Sequence, residues 1–324
     1  YVGTMKLKLP IIALLSSSWL HSLLLASSLH LLLLQPQSIL ALQNGPSLRQ
    51  RLLQQGGKSY GPLILSDSPI VAELLAGIGY DHIVLDMEHS PSNLQSTQQM
   101  LQSMDAAAAF ASKKTEAIVR LDAPHETPET MKKILDSMRL PGGILVPMVD
   151  NAEMAKRVVQ ATRYPRQQAS NSSGGGGVRG CAVPFVRASG WGSLSNDEYL
   201  RQCKEDLLIT VQVETPQAVD AIPEIAKVEG IDLIFLGPFD LSCSIGKMGM
   251  FEDAEVKELI SRAERAVLES GCLLGGFRTP GVSLEELFGA RGYSLLCGAV
   301  DLGLLRDAAR LDAQAGREAM KEDQ

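Results

Sequence analysis

From residue 61 onward the chain alternates eight times between a short apolar run of β-type residues and a segment with helical periodicity. Few architectures accept that rhythm. The runs are PLILS at 62–66, HIVLDME, EAIVRLD, GGILVPMVD, LLITVQVE, DLIFLG, CLLGGF and YSLLCGAVD. Helical patterns such as PIVAELLAGIG, MKKILDSM and AVDAIPEIAKV stand between them. Strands that each feed a helix before the next strand predict an α/β fold with a parallel sheet. Eight units over residues 60–318 match the roughly 250 residues of a (β/α)8 TIM barrel. A doubly wound open sheet shares the periodicity and stays open at this level, although no GxGxxG opens a helix after the first strand to support dinucleotide binding.

The residues ahead of the alternation have a different character. No Asp or Glu precedes Asp67, whereas Lys6, Lys8, Arg49, Arg51 and Lys58 do. The rest of the chain therefore carries 25 basic against 37 acidic residues, a formal balance of −12, which argues against nucleic acid as a partner. Met5-Lys6-Leu7-Lys8, then an apolar stretch dotted with serine to Leu34 and free of acids, predicts a signal or transit leader. The apolar run is long enough to cross a bilayer, so an anchor is the rival. Ser16, Ser17 and Ser18 dilute it and favour a cleaved leader, with no stable membrane domain after its removal. Gln35-Pro36-Gln37 and Gln54-Gln55-Gly56-Gly57 read as a linker. The expected division is 1–59 leader and linker, 60–318 barrel, 319–324 tail.

Five scattered cysteines without a CxxC pair predict reduced, mostly buried thiols. With the leader, this favours a plastid or mitochondrion over secretion. The insertion at 166–180, with its glycine run at 174–177, lacks the ending of a phosphate loop and reads as a flexible loop.

Chemistry is expected where the strands end, because a parallel barrel builds its site at their carboxyl ends. Glu214 and Asp240 follow consecutive strands five and six, so the barrel makes them neighbours. Two hard oxygen donors that leave most positions open suit a catalytic divalent cation, while capping or pairing with Arg is the bland alternative. His89 ends strand two with a side chain suited to proton exchange near neutrality, and Asp86 is its candidate orienting carboxylate. Arg120 ends strand three, where its guanidinium suits a carboxylate or an enolate oxygen; an ion pair with Glu88 or Glu116 competes. Gln212 points to the same side as Glu214 by strand alternation. His82 and His125 read as structural. No lysine lies in a strand to form an imine, and no GxSxG appears.

These residues sit in AELLAGIGYD, LDMEHSP, IVRLD, ILVPMV, ATRYP, VRG, RASGW, VQVET, VEGID and GPFDLS. Together the motifs resemble the HpcH/HpaI aldolase family, in its 4-hydroxy-2-oxoheptanedioate and 2-dehydro-3-deoxyglucarate aldolase branch, more distantly the citrate lyase β subunits. The resemblance runs from about Tyr60 to Gly316. It implies Glu214 and Asp240 as metal ligands for Mg2+, Mn2+ or Co2+, His89 with Asp86 in proton transfer, and Arg120 on the oxo acid. Gln212, Gly237 and Pro238 match pocket positions. The implied reaction is reversible cleavage of a 4-hydroxy-2-oxo acid to pyruvate, or a close 2-oxo acid, and an aldehyde. Homo-oligomers, often hexamers with exchanged terminal helices, are implied as well. Phe239 departs from the small residue usual before the Asp of GPxDLS, which leaves the aldehyde preference open. A citrate-lyase-like enzyme acting on acyl-CoA would want a basic nucleotide-binding rim, and none is evident. A non-catalytic metal-binding barrel is the remaining alternative.

Overall fold

Eight parallel strands close on themselves in sequence order, β1 through β8, in a computed structural model that describes residues 45–122, 128–139, 142–165 and 176–320. The leader, His125, most of the glycine-rich insertion and the last four residues lie outside the described residues. The strands are β1 Ser59–Ile64, β2 His82–Asp86, β3 Glu116–Arg120, β4 Gly143–Val146, β5 Leu208–Val213, β6 Leu233–Leu236, β7 Leu273–Phe277 and β8 Leu295–Val300. Closure pairs Ser59 with Leu295 and Gly61 with Cys297, and the register shifts between Gly61 and Leu63. That shift accommodates Pro62, which has no N–H for the ladder. It also explains why β1 starts at Ser59 rather than at the Pro62 expected from its apolar run.

Helices surround the barrel: α1 Leu48–Gln55, α2 Pro69–Ile78, α3 Leu94–Ala107, α4 Pro128–Ser137, α5 Ala152–Thr162, α6 Asn196–Glu205, α7 Pro216–Ala226, α8 Pro238–Ser244, α9 Ala254–Ser270, α10 Leu284–Phe288 and α11 Asp301–Ala319. Their starts are set chemically. Ser68, Asn93, Asn151, Ser195, Thr215, Asp253 and Ser283 each accept a first-turn N–H that would otherwise lack a partner. Among the described residues no helix is long and apolar enough to cross a membrane.

One boundary expected from sequence needs correction. The compact unit begins at Pro46, and α1 replaces much of the linker drawn through residue 59. Ser47 and Gln50 form a reciprocal capping box at its start. Leu48 and Leu52, one turn apart, are buried in a cluster with Leu63, Val84, Ile118, Leu145, Leu208, Leu233 and Leu295. These are inward-facing strand residues, so α1 caps the amino-terminal end of the barrel. A second, larger cluster fills the layer between the sheet and the outer helices.

Candidate active site

Strand pairing brings the first two site residues together. Asp86 and Arg120 are cross-strand partners at the ends of β2 and β3. Arg120 donates from Nε to Asp86 Oδ1 at 2.7 Å and from Nη2 to Oδ2 at 2.8 Å, a two-pronged contact between fully buried groups. Its Nη1 lies 3.0 Å from Glu88 Oε2, and the Phe277 ring lies 5.3 Å from the guanidinium carbon. Burial works against the guanidinium charge, but the Asp86 hydrogen bond and the nearby carboxylates outweigh it and raise the Arg120 pKa. Glu116, the other expected partner, pairs instead with Lys114 at 3.0 Å.

The same contacts correct the expected role of Asp86. Its carboxylate accepts the Arg120 fork and the backbone N–H groups of Glu88 (3.0 Å) and His89 (3.2 Å). It therefore holds the turn that carries His89 rather than the imidazole. The ring stands 63% exposed, and its near carboxylate is Glu88, 3.9 Å from Nε2. Burial is the main reason the Glu88 pKa is raised, with Arg120 and His89 pulling the other way.

On the next wall, strand alternation turns Gln212 and Glu214 inward at the end of β5, and both are buried. Gln212 Nε2 donates to Glu214 Oε1, and the Met148 N–H donates to Oε2 at 2.8 Å. The Glu214 pKa is pushed up to about 8, first by burial and then by the like charge of Asp240, against the lowering effect of the Met148 N–H. Asp240 stands in the first turn of α8, which follows β6 directly, and is exposed. Gly237 and Pro238 between them are buried. A Cβ on Gly237 would come within 3.0 Å of Glu214 Oε1, so glycine lets β6 approach the carboxylate.

The geometry thus gathers Asp86, Glu88, Arg120, Gln212, Glu214 and Asp240 around the carboxyl ends of β2, β3, β5 and β6, with His89 on the rim. Among the described residues the amide oxygen Gln212 Oε1 is buried there without a hydrogen-bond partner, and Glu88 Oε2 is buried with the Arg120 guanidinium as its near charge. Among the described residues no group of three or more His, Cys, Asp or Glu side chains forms a metal cage. Glu214 with Asp240 is a two-carboxylate set, and a cation would relieve both the burial and the mutual repulsion of that pair. A hard divalent ion with water and substrate in its other positions fits this donor set.

Sequence reasoning missed Met148, which acts through its backbone, and Glu88 as a neighbour of the imidazole. His82 lies at the opposite end, fully buried, with Nδ1 2.7 Å from Ser59 Oγ.

A family model described as HpcH/HpaI aldolase/citrate lyase matches residues 61–308. The chain is 34% identical over 258 residues to a hydroxypyruvate/pyruvate aldolase of Deinococcus radiodurans, covering 79% of this chain and 84% of that enzyme. It is 33% identical over 273 residues to a 4-hydroxy-2-oxo-heptane-1,7-dioate aldolase of Escherichia coli, covering 82% and 94% of the two chains. Among solved structures, an HpcH/HpaI aldolase/citrate lyase family protein from Burkholderia cenocepacia superposes with a TM-score of 0.72 at 30% identity, over 83% of this chain and 98% of that one.

Proposed function

Because the chain belongs to the HpcH/HpaI aldolase/citrate lyase family and is a carbon–carbon lyase, we propose that it cleaves a 4-hydroxy-2-oxo acid reversibly to pyruvate, or a close 2-oxo acid, and an aldehyde, with a divalent metal ion. The observation that carries this reading is the placement of Glu214 and Asp240 beside the buried Asp86–Arg120 pair. Glu214 and Asp240 would hold Mg2+, Mn2+ or Co2+. When bound, the ion supplies Lewis acidity to the oxo and carboxylate oxygens of the substrate.

The protein groups then divide the work. His89, exposed on the rim, takes the proton of the 4-hydroxyl, whose electrons form the aldehyde carbonyl as the C3–C4 bond breaks. The pair released from that bond becomes the enolate, and protonation at C3 completes pyruvate. Arg120 places a permanent positive charge opposite the enolate oxygen, and Asp86 fixes its plane through the two-pronged contact. Glu88, 3.9 Å from the His89 ring, is the carboxylate that faces the imidazole as it takes the proton. The unpartnered Gln212 Oε1 accepts from a substrate hydroxyl or a water, while the backbone at Gly237 and Pro238 approaches the substrate carboxylate.

Phe239 is this chain's own wall for the aldehyde. It stands 54% exposed next to Asp240, with its ring edge-on to Phe251 at 4.8 Å and 86°. That surface favours an acceptor with an apolar substituent. We also read the protein as a homo-oligomer. In α11 only Asp301 is buried while Leu304, Leu305 and Leu311 are exposed, and α2 exposes Ile70, Leu74 and Ile78 at four-residue spacing. Two apolar helix faces without a partner among the described residues suit exchange of α11 between copies.

The test is pyruvate release from a panel of 4-hydroxy-2-oxo acids with and without EDTA, using Glu214→Ala as control. EDTA is expected to abolish release, and the substitution to lower it by about 10^3-fold. Activity indifferent to both would discard the metal mechanism. Silence across the whole panel would favour a scaffold.

A further inference from the structure

The pairing of β4 with β5 leaves one residue over. Val146 faces Val211, yet the next β4 donor to reach the Gln212 carbonyl is the Val149 N–H, at 3.0 Å. A regular parallel ladder would bring the Met148 N–H to that carbonyl, so the Pro147–Met148 step holds one extra residue, a bulge in the strand line just above the site that frees the Met148 N–H. Within it Met148 adopts φ 52, one of three described non-glycine residues in the left-handed region. Its side chain is 47% exposed, so packing does not account for the conformation. Pro147 has no N–H, and Val149 spends its own on β5. The Met148 N–H is the donor left to this segment, and it points at Glu214 Oε2, 2.8 Å away. With Gln212 Nε2 on Oε1, each carboxylate oxygen has one fixed donor. Rotation of the carboxylate about its last bond would break both.

We propose that Met148 is a positioning residue, whose left-handed backbone aims one N–H at Glu214 and so fixes the orientation in which that carboxylate receives a divalent cation. The proposal rests on the metal reading of Glu214 and Asp240. It assigns the function to the backbone of Met148 and not to the thioether. The two can be separated, because glycine adopts positive φ freely and keeps the N–H, whereas a β-branched residue resists that region.

The experiment is Mn2+ titration of the full chain, followed by the EPR signal of free Mn2+, for wild type, Met148→Gly and Met148→Ile, with circular dichroism to verify folding. Met148→Gly is expected to bind Mn2+ within about threefold of wild type, and Met148→Ile about tenfold more weakly, a loss typical of removing a group that orients a metal ligand. Met148→Thr, smaller and also β-branched, takes the place of the isoleucine variant if that one does not fold. A folded β-branched variant with wild-type affinity overturns the proposal, as does a glycine variant that loses as much as isoleucine. Wild-type chain that takes up no Mn2+ removes the metal reading and this proposal with it. An unaltered β-branched variant beside a binding wild type removes this proposal alone.

Discussion

The two ends of the barrel are made from the same eight strands and treat charge in opposite ways. At the amino-terminal end α1 seals the barrel with Leu48 and Leu52, and charges are matched. Arg49 meets Asp232 through two bonds of 2.8 Å, and the second Asp232 oxygen also accepts the Ile209 N–H. The buried imidazole of His82 is kept neutral there, its pKa lowered to about 3, chiefly by burial. At the carboxyl end three carboxylates, Glu88, Glu214 and Asp240, crowd together. Burial that is hydrophobic or neutral stabilises the fold. Burial that leaves like charges facing each other weakens it and makes sense where a cation and an anionic substrate complete the set.

Asp86→Ala tests the contrast most severely, because it leaves the buried Arg120 guanidinium without its fork. A loss of roughly 3–5 kcal/mol in unfolding free energy is expected, together with lost catalysis, read by urea denaturation and pyruvate release. A stability loss below ~1 kcal/mol would show that the pair is as loosely held as a surface one. Next comes His82, whose neutral state separates the ends by pH. Unfolded imidazole titrates near 6.5 and the folded one near 3, so between those values the unfolded chain binds more protons. The contribution is intact above about pH 6.5 and is lost as pH falls toward 3, up to roughly 4 kcal/mol. Denaturation midpoints at pH 7 and pH 4 should diverge more for wild type than for His82→Gln; equal divergence would remove His82 as the cause. The mildest change is Leu48→Ala, expected to cost about 2–4 kcal/mol of stability while leaving kcat for aldol cleavage within about twofold. A large fall in kcat in the folded variant would mean that the sealed end reaches the chemistry.

The sequence made the active end easier to read than the sealed one. Strand-end residues such as Glu214, Asp240 and Arg120 announce themselves because a charge directly after an apolar run has few structural uses. The barrel order followed from eight strand–helix units, several of them with recognisable caps such as Ser68, Asn151 and Thr215. By contrast, α1 was hidden by its polar composition and by Gln54-Gln55-Gly56-Gly57, although Ser47-x-x-Gln50 is a capping-box signal and Leu48 with Leu52 has helical spacing. The partner of Asp86 was misassigned for a different reason. His89 is its neighbour in sequence, but strand register places Arg120 beside it in space, and register is a tertiary property. The Met148 N–H was invisible because a backbone donor leaves no mark on residue identity.

The capping box at Ser47 also sets a limit on how far the chain could be shortened from its amino-terminal side with the barrel kept whole. A truncation would have to stop upstream of that serine. A cut a few positions farther along would unwind α1 and withdraw Leu48 and Leu52, leaving the floor of the catalytic chamber open to water from below.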